Sequence, residues 1–179
     1  MTPPPPHGLL VLGIDPGLSV TGWGLVHKNG NRLGSKGSGA WRPPRSLAIA
    51  PRLAWLTEKL AACIRKHRPD ALALEQAFVG RNIQSALRLG EARGAILAVC
   101  GRMNVQVHEY PTASVKKAVV GSGRADKSQV NFMLQRLLGL ERPPKPLDAS
   151  DALALAYTLA MDWNFLLVSA RGSTSRGRR

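Results

Sequence analysis

The chain has 179 residues, 44% of them hydrophobic, and carries 25 Lys and Arg against 11 Asp and Glu, a formal charge of +14. That is room for one domain with its own core. It is too apolar for disorder, has no apolar run long enough for a membrane helix, and lacks the basic-then-apolar start of a secretory signal. Residues 171–179 hold four arginines and no acid, yet the rest of the chain keeps an excess of ten positive charges, which points to a polyanion such as nucleic acid.

Residues 1–7, with four consecutive prolines, read as a flexible extended tail. The body is expected over residues 8–167 and a flexible basic tail over 168–179. Residues 9–14 form a short continuous apolar run, as a central strand buried on both faces would, and stop at the turn signal Asp15-Pro16-Gly17. Residues 20–27 read as a second strand, Asn29-Gly30 as a hairpin turn, and residues 32–41 as a third strand. Pro51 suits the first turn of a helix; Leu53, Leu56, Leu60, Cys63 and Ile64 follow at helical spacing, and Pro69 closes the segment. Residues 71–74 are a buried strand ending at Glu75. A helix precedes it, so it is expected parallel to the first strand.

A helix over residues 84–101, a strand over 105–108, and short helices over 112–120 and 127–138 come next, with Thr112 and Asp126 as N-caps. The last helix is expected over 149–165. The order describes an α/β protein: a mixed five-stranded sheet, antiparallel meander plus parallel strands, flanked by helices. Cys63 and Cys100 lie among apolar residues and read as buried structural thiols. No Cys/His zinc spacing occurs, and the expected compartment is the cytoplasm.

The eleven acids are unevenly placed. Asp15 and Glu75 stand at the carboxyl ends of buried strands, where open α/β sheets bind ligands; each could also simply cap a loop. Asp148 and Asp151, three residues apart, share one face at the start of the last helix, where acids also serve as caps. Two unit charges about 4 Å apart repel by roughly 4 kcal/mol at an effective dielectric of 20. Clustered carboxylates therefore need a cation or must bind protons. Hard oxygen ligands suit Mg²⁺ or Mn²⁺, and carboxylates holding two such ions can activate water and stabilise a leaving oxygen in phosphodiester hydrolysis.

Four blocks then resemble one family. Gly13-Ile14-Asp15-Pro16-Gly17 with Val20-Thr21-Gly22-Trp23-Gly24 is similar to the opening of the RuvC-type Holliday junction resolvases. Glu75-Gln76-Ala77-Phe78, Asn82 and Ser85-Ala86-Leu87-Arg88-Leu89-Gly90-Glu91-Ala92-Arg93-Gly94 resemble the second block. Val119-Val120-Gly121-Ser122-Gly123 with Lys127-Ser128-Gln129-Val130 resembles the third, and Asp148-Ala149-Ser150-Asp151-Ala152-Leu153-Ala154 the fourth.

The resemblance implies a ribonuclease H-like fold. It also implies a homodimer that makes paired cuts in four-way junction DNA during recombination and repair, using Mg²⁺, or Mn²⁺ as substitute, with two ions per subunit. It makes Asp15, Glu75, Asp148 and Asp151 the catalytic and metal-holding carboxylates. Lys116 and Lys127 match lysines associated with DNA phosphates and catalysis, and Lys117 stands beside Lys116. The family also implies cooperation with a branch-migration motor complex, RuvA–RuvB, and no membrane partner.

Phe78 matches an aromatic position near the junction centre. It reads as a ring that stacks on an unstacked base or as a core anchor. Arg81 and Arg88 read as phosphate contacts or as a solvated charged face. The segment from Gly121 to Ser128 differs by one residue from a phosphate loop of the G-x-x-x-x-G-K-[ST] type. Asp126 replaces the second glycine and would repel nucleotide phosphates, so the segment is expected to present Arg124 and Lys127 to DNA. Gly90, Gly94 and Ala98 recur on one helix face, which suits close packing against a second copy or against the chain's own sheet. A nuclease acting on RNA–DNA hybrids or flaps, and a non-catalytic junction binder, are the competing readings.

Overall fold

A computed structural model of the chain describes residues 8–76 and 82–174, the last eight of these as helix backbone alone. Among these described residues, five strands and five helices follow in the order β1 Leu9–Asp15, β2 Thr21–Asn29, β3 Arg32–Trp41, α1 Ile49–His67, β4 Ala71–Glu75, α2 Ile83–Arg102, β5 Gln106–Tyr110, α3 Thr112–Val120, α4 Lys127–Leu137 and α5 Leu147–Thr174. The strands form one sheet in the order β3-β2-β1-β4-β5. β1, β2 and β3 pair antiparallel, while β1 with β4 and β4 with β5 pair parallel. The expected mixed sheet is therefore present, with β4 parallel to β1.

The local chemistry explains the joints. Gly30 adopts φ +57° in the β2–β3 turn, a conformation glycine takes at no steric cost. Asn29 itself stays in the ladder opposite Arg32. Pro51 falls in the first turn of α1, where its missing N–H is no loss, and the left-handed Arg68 ends that helix just ahead of Pro69. Asp126 caps α4 as expected, with a reciprocal bond from Gln129. Thr112 is not a cap: Pro111 holds that position on α3, and the Thr112 hydroxyl is used elsewhere. β5 lies later than expected, because the Val105 N–H closes onto Cys100 at the end of α2, and Tyr110 extends the ladder opposite Glu75. α5 continues to Thr174 rather than stopping at Phe165.

Two cores sit on the two faces of the sheet. Leu12, Ile14, Leu72 and Leu74 point toward α1 and α2 with Leu60, Ile96 and Cys100. Leu9, Val11, Ala71 and Ala73 point toward α3, α4 and α5 with Leu134, Leu153 and Leu159. α5 is buried nearly all round from Ala149 to Ala160, as expected of a helix packed between a sheet and other helices. Both thiols are free, and burial pushes each up to about 11, so neither is reactive near neutral pH.

Candidate active site

The period of two along a strand selects the face on which the acids meet. In β1, Leu9, Val11 and Gly13 face α5, so Asp15 does too; in β4, Ala71 and Ala73 set the same face for Glu75. Ile14 pairs with Leu74 in the parallel ladder, which makes Asp15 and Glu75 neighbours one step further on. The first turn of α5 completes the arrangement. A Cβ at Gly13 would lie 1.9 Å from the Ala152 carbonyl oxygen, and one at Gly22 would lie 2.0 Å from that of Asp148. Only glycine lets the α5 backbone approach this closely.

A cavity of about 250 Å³ opens at this point. Asp15, Glu75, Thr112, Lys116, Lys127 and Asp151 line it over an apolar floor that includes Val115 and Leu155. Burial, and then the charges of Glu75, Asp151 and Asp148, push the Asp15 carboxyl up to about 8, and its hydrogen bond to Glu75 adds to the shift. The Thr112 hydroxyl donates to Glu75 Oε1 at 2.5 Å. The buried Arg93 guanidinium donates to the Glu75 carbonyl oxygen and pairs with Glu109 at 3.0 Å. Lys127 Nζ lies 2.9 Å from Asp151 Oδ2. That hydrogen bond and charge, with Asp15 and Asp148 beyond, raise the Lys127 ammonium above its ordinary value. Asp148 does not line the cavity; it pairs with Arg42 at 3.6 Å on the rim.

The other expected site residues separate. Lys116 is half-buried and lines the cavity, whereas Lys117 is exposed and does not. Arg124 is exposed, with its backbone N–H on the Ser122 hydroxyl. Arg88 lines a different groove and pairs with Glu91 at 3.3 Å. Phe78 and Arg81 lie outside the described residues. Thr112, Arg93 and Arg42 were not anticipated as site residues. Their partners lie 16 to more than 100 positions away in the sequence, and no local pattern signals such contacts.

The donors suit a hard divalent cation. They are carboxylate oxygens only, and burial together with their mutual repulsion pushes Asp15 toward its protonated form, a cost that a bound cation would offset. Among the described residues no three His, Cys, Asp or Glu side chains are already gathered into a cation cage. Two aspartates are instead held by the cations Lys127 and Arg42.

Residues 11–159 match the family model described as crossover junction endodeoxyribonuclease RuvC. A crossover junction endodeoxyribonuclease RuvC of Chlorobaculum parvum is 48% identical over 149 residues, which cover 83% of this chain and 80% of that protein. One from Marinobacter nauticus is 44% identical over 171 residues, covering 95% and 97%. Among solved structures, Thermus thermophilus RuvC in complex with a Holliday junction substrate superposes with a TM-score of 0.83 at 30% identity, covering 88% of this chain and 96% of that one.

Proposed function

The chain belongs to the RuvC family of crossover junction endodeoxyribonucleases, and on that premise we propose that the acids at the ends of β1 and β4 and the start of α5 carry its chemistry. The activity is that of a metal-dependent endonuclease that resolves Holliday junctions, with four-way junction DNA as substrate. The observation that carries the site assignment is the convergence of the four carboxylates at one end of the sheet, where burial and then the charges of Glu75, Asp151 and Asp148 push the Asp15 carboxyl up to about 8.

Asp15, Glu75, Asp148 and Asp151 are the side chains that would hold Mg²⁺, or Mn²⁺ in its place, two ions per subunit. Bound there, a divalent ion supplies an acidic water and neutralises charge developing on the phosphate. Asp15 releases its proton before it can act as a ligand. Thr112 fixes the rotamer of Glu75, and Arg93 fixes its backbone. Lys127 and Lys116, at the cavity wall, carry positive charge toward the scissile phosphate. Lys117 and Arg124, both exposed, add to the attraction for the DNA backbone in this reading, and Phe78, Arg81 and Arg88 complete its DNA contacts.

Two opposed cuts call for a two-fold dimer. The exposed face of α2 supports one: Ile83, Leu87 and Leu97 are exposed apolar side chains, and nothing stands within 4 Å of a Cβ at Gly90 or Gly94. Those glycines therefore do not pack on the chain's own sheet. Leucine at both positions is expected to give a monomer in solution scattering; a retained dimer removes this face from the reading. Cooperation with a RuvA–RuvB motor rests on the family resemblance. No helix among the described residues is long and apolar enough to cross a membrane.

The test is incubation with a labelled mobile four-way junction, with and without Mg²⁺ or Mn²⁺, beside linear duplex and RNA–DNA hybrid controls. Paired, metal-dependent nicks confined to the junction are expected. Binding without cutting in every metal would overturn the catalytic assignment in favour of an architectural role.

A further inference from the structure

A second depression of about 570 Å³ lies on the other side of the β1–β2 turn from the acids. Ser19, Arg52, Gln84, Ser85 and Arg88 supply its polar side chains, and no carboxylate lines it. Both α1 and α2 begin at this groove. Neither carries an acid in its first turn, and the Ala48 cap of α1 offers no side-chain bond to the free amides. The positive ends of two helix dipoles therefore meet here, that of α2 capped by the Asn82 side chain on the Ser85 N–H and that of α1 uncapped.

Arg52 is held in place and brings an unneutralised charge to the groove. Its Nη2 donates to the carbonyl oxygens of Arg45 and Leu47, both at 2.9 Å, while its Nε is buried with no partner. Among the described residues no carboxylate pairs with it. Among the described residues Arg88 pairs with Glu91 in a half-exposed contact at 3.3 Å that yields readily to a stronger acceptor.

We propose that this groove binds a phosphodiester of the junction DNA flanking the cut, gripped by Arg52 and Arg88; this deepens the functional reading above and rests on it. The placement follows from the shared wall. Gly17–Ser19 bounds the groove, and the same turn leads out of Asp15. Phosphates recur about every 3.4 Å of axis along a duplex strand, so DNA held at the acids brings further phosphates to the adjoining surface. The acid cavity repels those phosphates, and the groove attracts them. An anion held on each side of the turn would fix the angle at which the strand crosses Asp15.

The test uses the full chain with Asp15→Asn, so that junction binding in Mg²⁺ is read without cutting. Arg52→Gln, Arg88→Gln and Ser85→Glu are each compared with that parent. Ser85→Glu puts a carboxylate into the groove at a helix start that tolerates one, and so keeps the test decisive if Arg52→Gln disturbs the 45–47 segment. Each is expected to weaken binding about tenfold, and the two arginine variants to flatten the salt dependence of log K by about 0.9.

Single methylphosphonates placed in turn on either side of the cut locate the contact. One position is expected to weaken the parent about tenfold and Arg52→Gln less than about twofold. An unchanged salt slope in both arginine variants, or no such position, would overturn the groove assignment. A wild-type chain that neither binds nor cuts the junction would instead remove the functional reading beneath it.

Discussion

The first turn of α5 and the turns that follow obey opposite physical rules. From Ala152 to Ala160 every residue is buried, and the helix lies on glycines of β1 and β2 at backbone contact. Nothing there is charged, and the close fit stabilises the fold. One turn earlier, Asp148 and Asp151 belong to a group of four carboxylates that work against one another and against folding. Yet the same glycine contact fixes both regions: Gly13 admits the backbone at Ala152, and Gly22 admits it at Asp148. An unfavourable cluster of charge persists because a rigid apolar helix, anchored over its next three turns, holds its acids in place.

Asp15→Asn tests the charged side of that contrast and has the largest expected effect. Cleavage falls by about a thousandfold, or about 4 kcal/mol, in a junction assay. The same change is expected to stabilise the metal-free fold. The Asp15 carboxyl titrates at about 8 in the fold against 3.8 in an ordinary environment. A raised folded value means that its contribution is fully present below about pH 4 and is lost as pH rises through about 8. In EDTA at pH 8 the variant should therefore melt above the wild type, by the equivalent of about 5 kcal/mol, and the gap should close toward pH 4. Mg²⁺ should raise the melting temperature of the wild type more than that of the variant. A variant no more stable at pH 8 would mean that neither burial nor the neighbouring carboxylates burden the Asp15 charge in solution.

The apolar side is tested next. Gly13→Ala sets a methyl against the backbone of α5, 1.9 Å from the Ala152 oxygen and 2.7 Å from the Ala156 nitrogen. Neither atom can turn aside, and a loss of about 3 kcal/mol in chemical denaturation is expected. Gly22→Ala presses instead on Asp148, at the helix end, where the chain can shift. Stability should fall less there and cleavage more. Equal losses of stability in the two variants would mean that α5 is held uniformly along its length.

Much of this was readable in the sequence because it is local. The apolar runs located β1 and β4, the helix between them required the parallel pairing, and Asp126 marked the start of α4. The positions of Asp15 and Glu75 followed from strand ends alone. What the sequence concealed is contact between distant segments. Nothing around Arg93 indicates that its guanidinium reaches the Glu75 backbone, and nothing around Arg42 indicates Asp148. Arg52 resembled any other helical arginine until α2 was placed beside it. The glycines of β1 and β2 were visible as glycines, but the helix they admit was not.

Thr112 shows how fine that concealed layer is, and its expected effect is the smallest. Its place before a helix suggested a cap, but Pro111 takes that role and the hydroxyl donates to Glu75 Oε1. Valine has the same shape without the donor, and the exposed start of α3 does not depend on that donor for its own bonds. Thr112→Val should therefore leave chemical denaturation within about 0.5 kcal/mol of wild type. Cleavage should slow about tenfold, the equivalent of about 1.4 kcal/mol, because Glu75 then samples other rotamers beside three like charges. Thr112→Ser restores the donor and should restore the rate. If valine cuts as fast as threonine, β4 alone holds Glu75. The precision of the acid cluster would then come wholly from the strands and the glycine-seated helix, with α3 serving only as its wall.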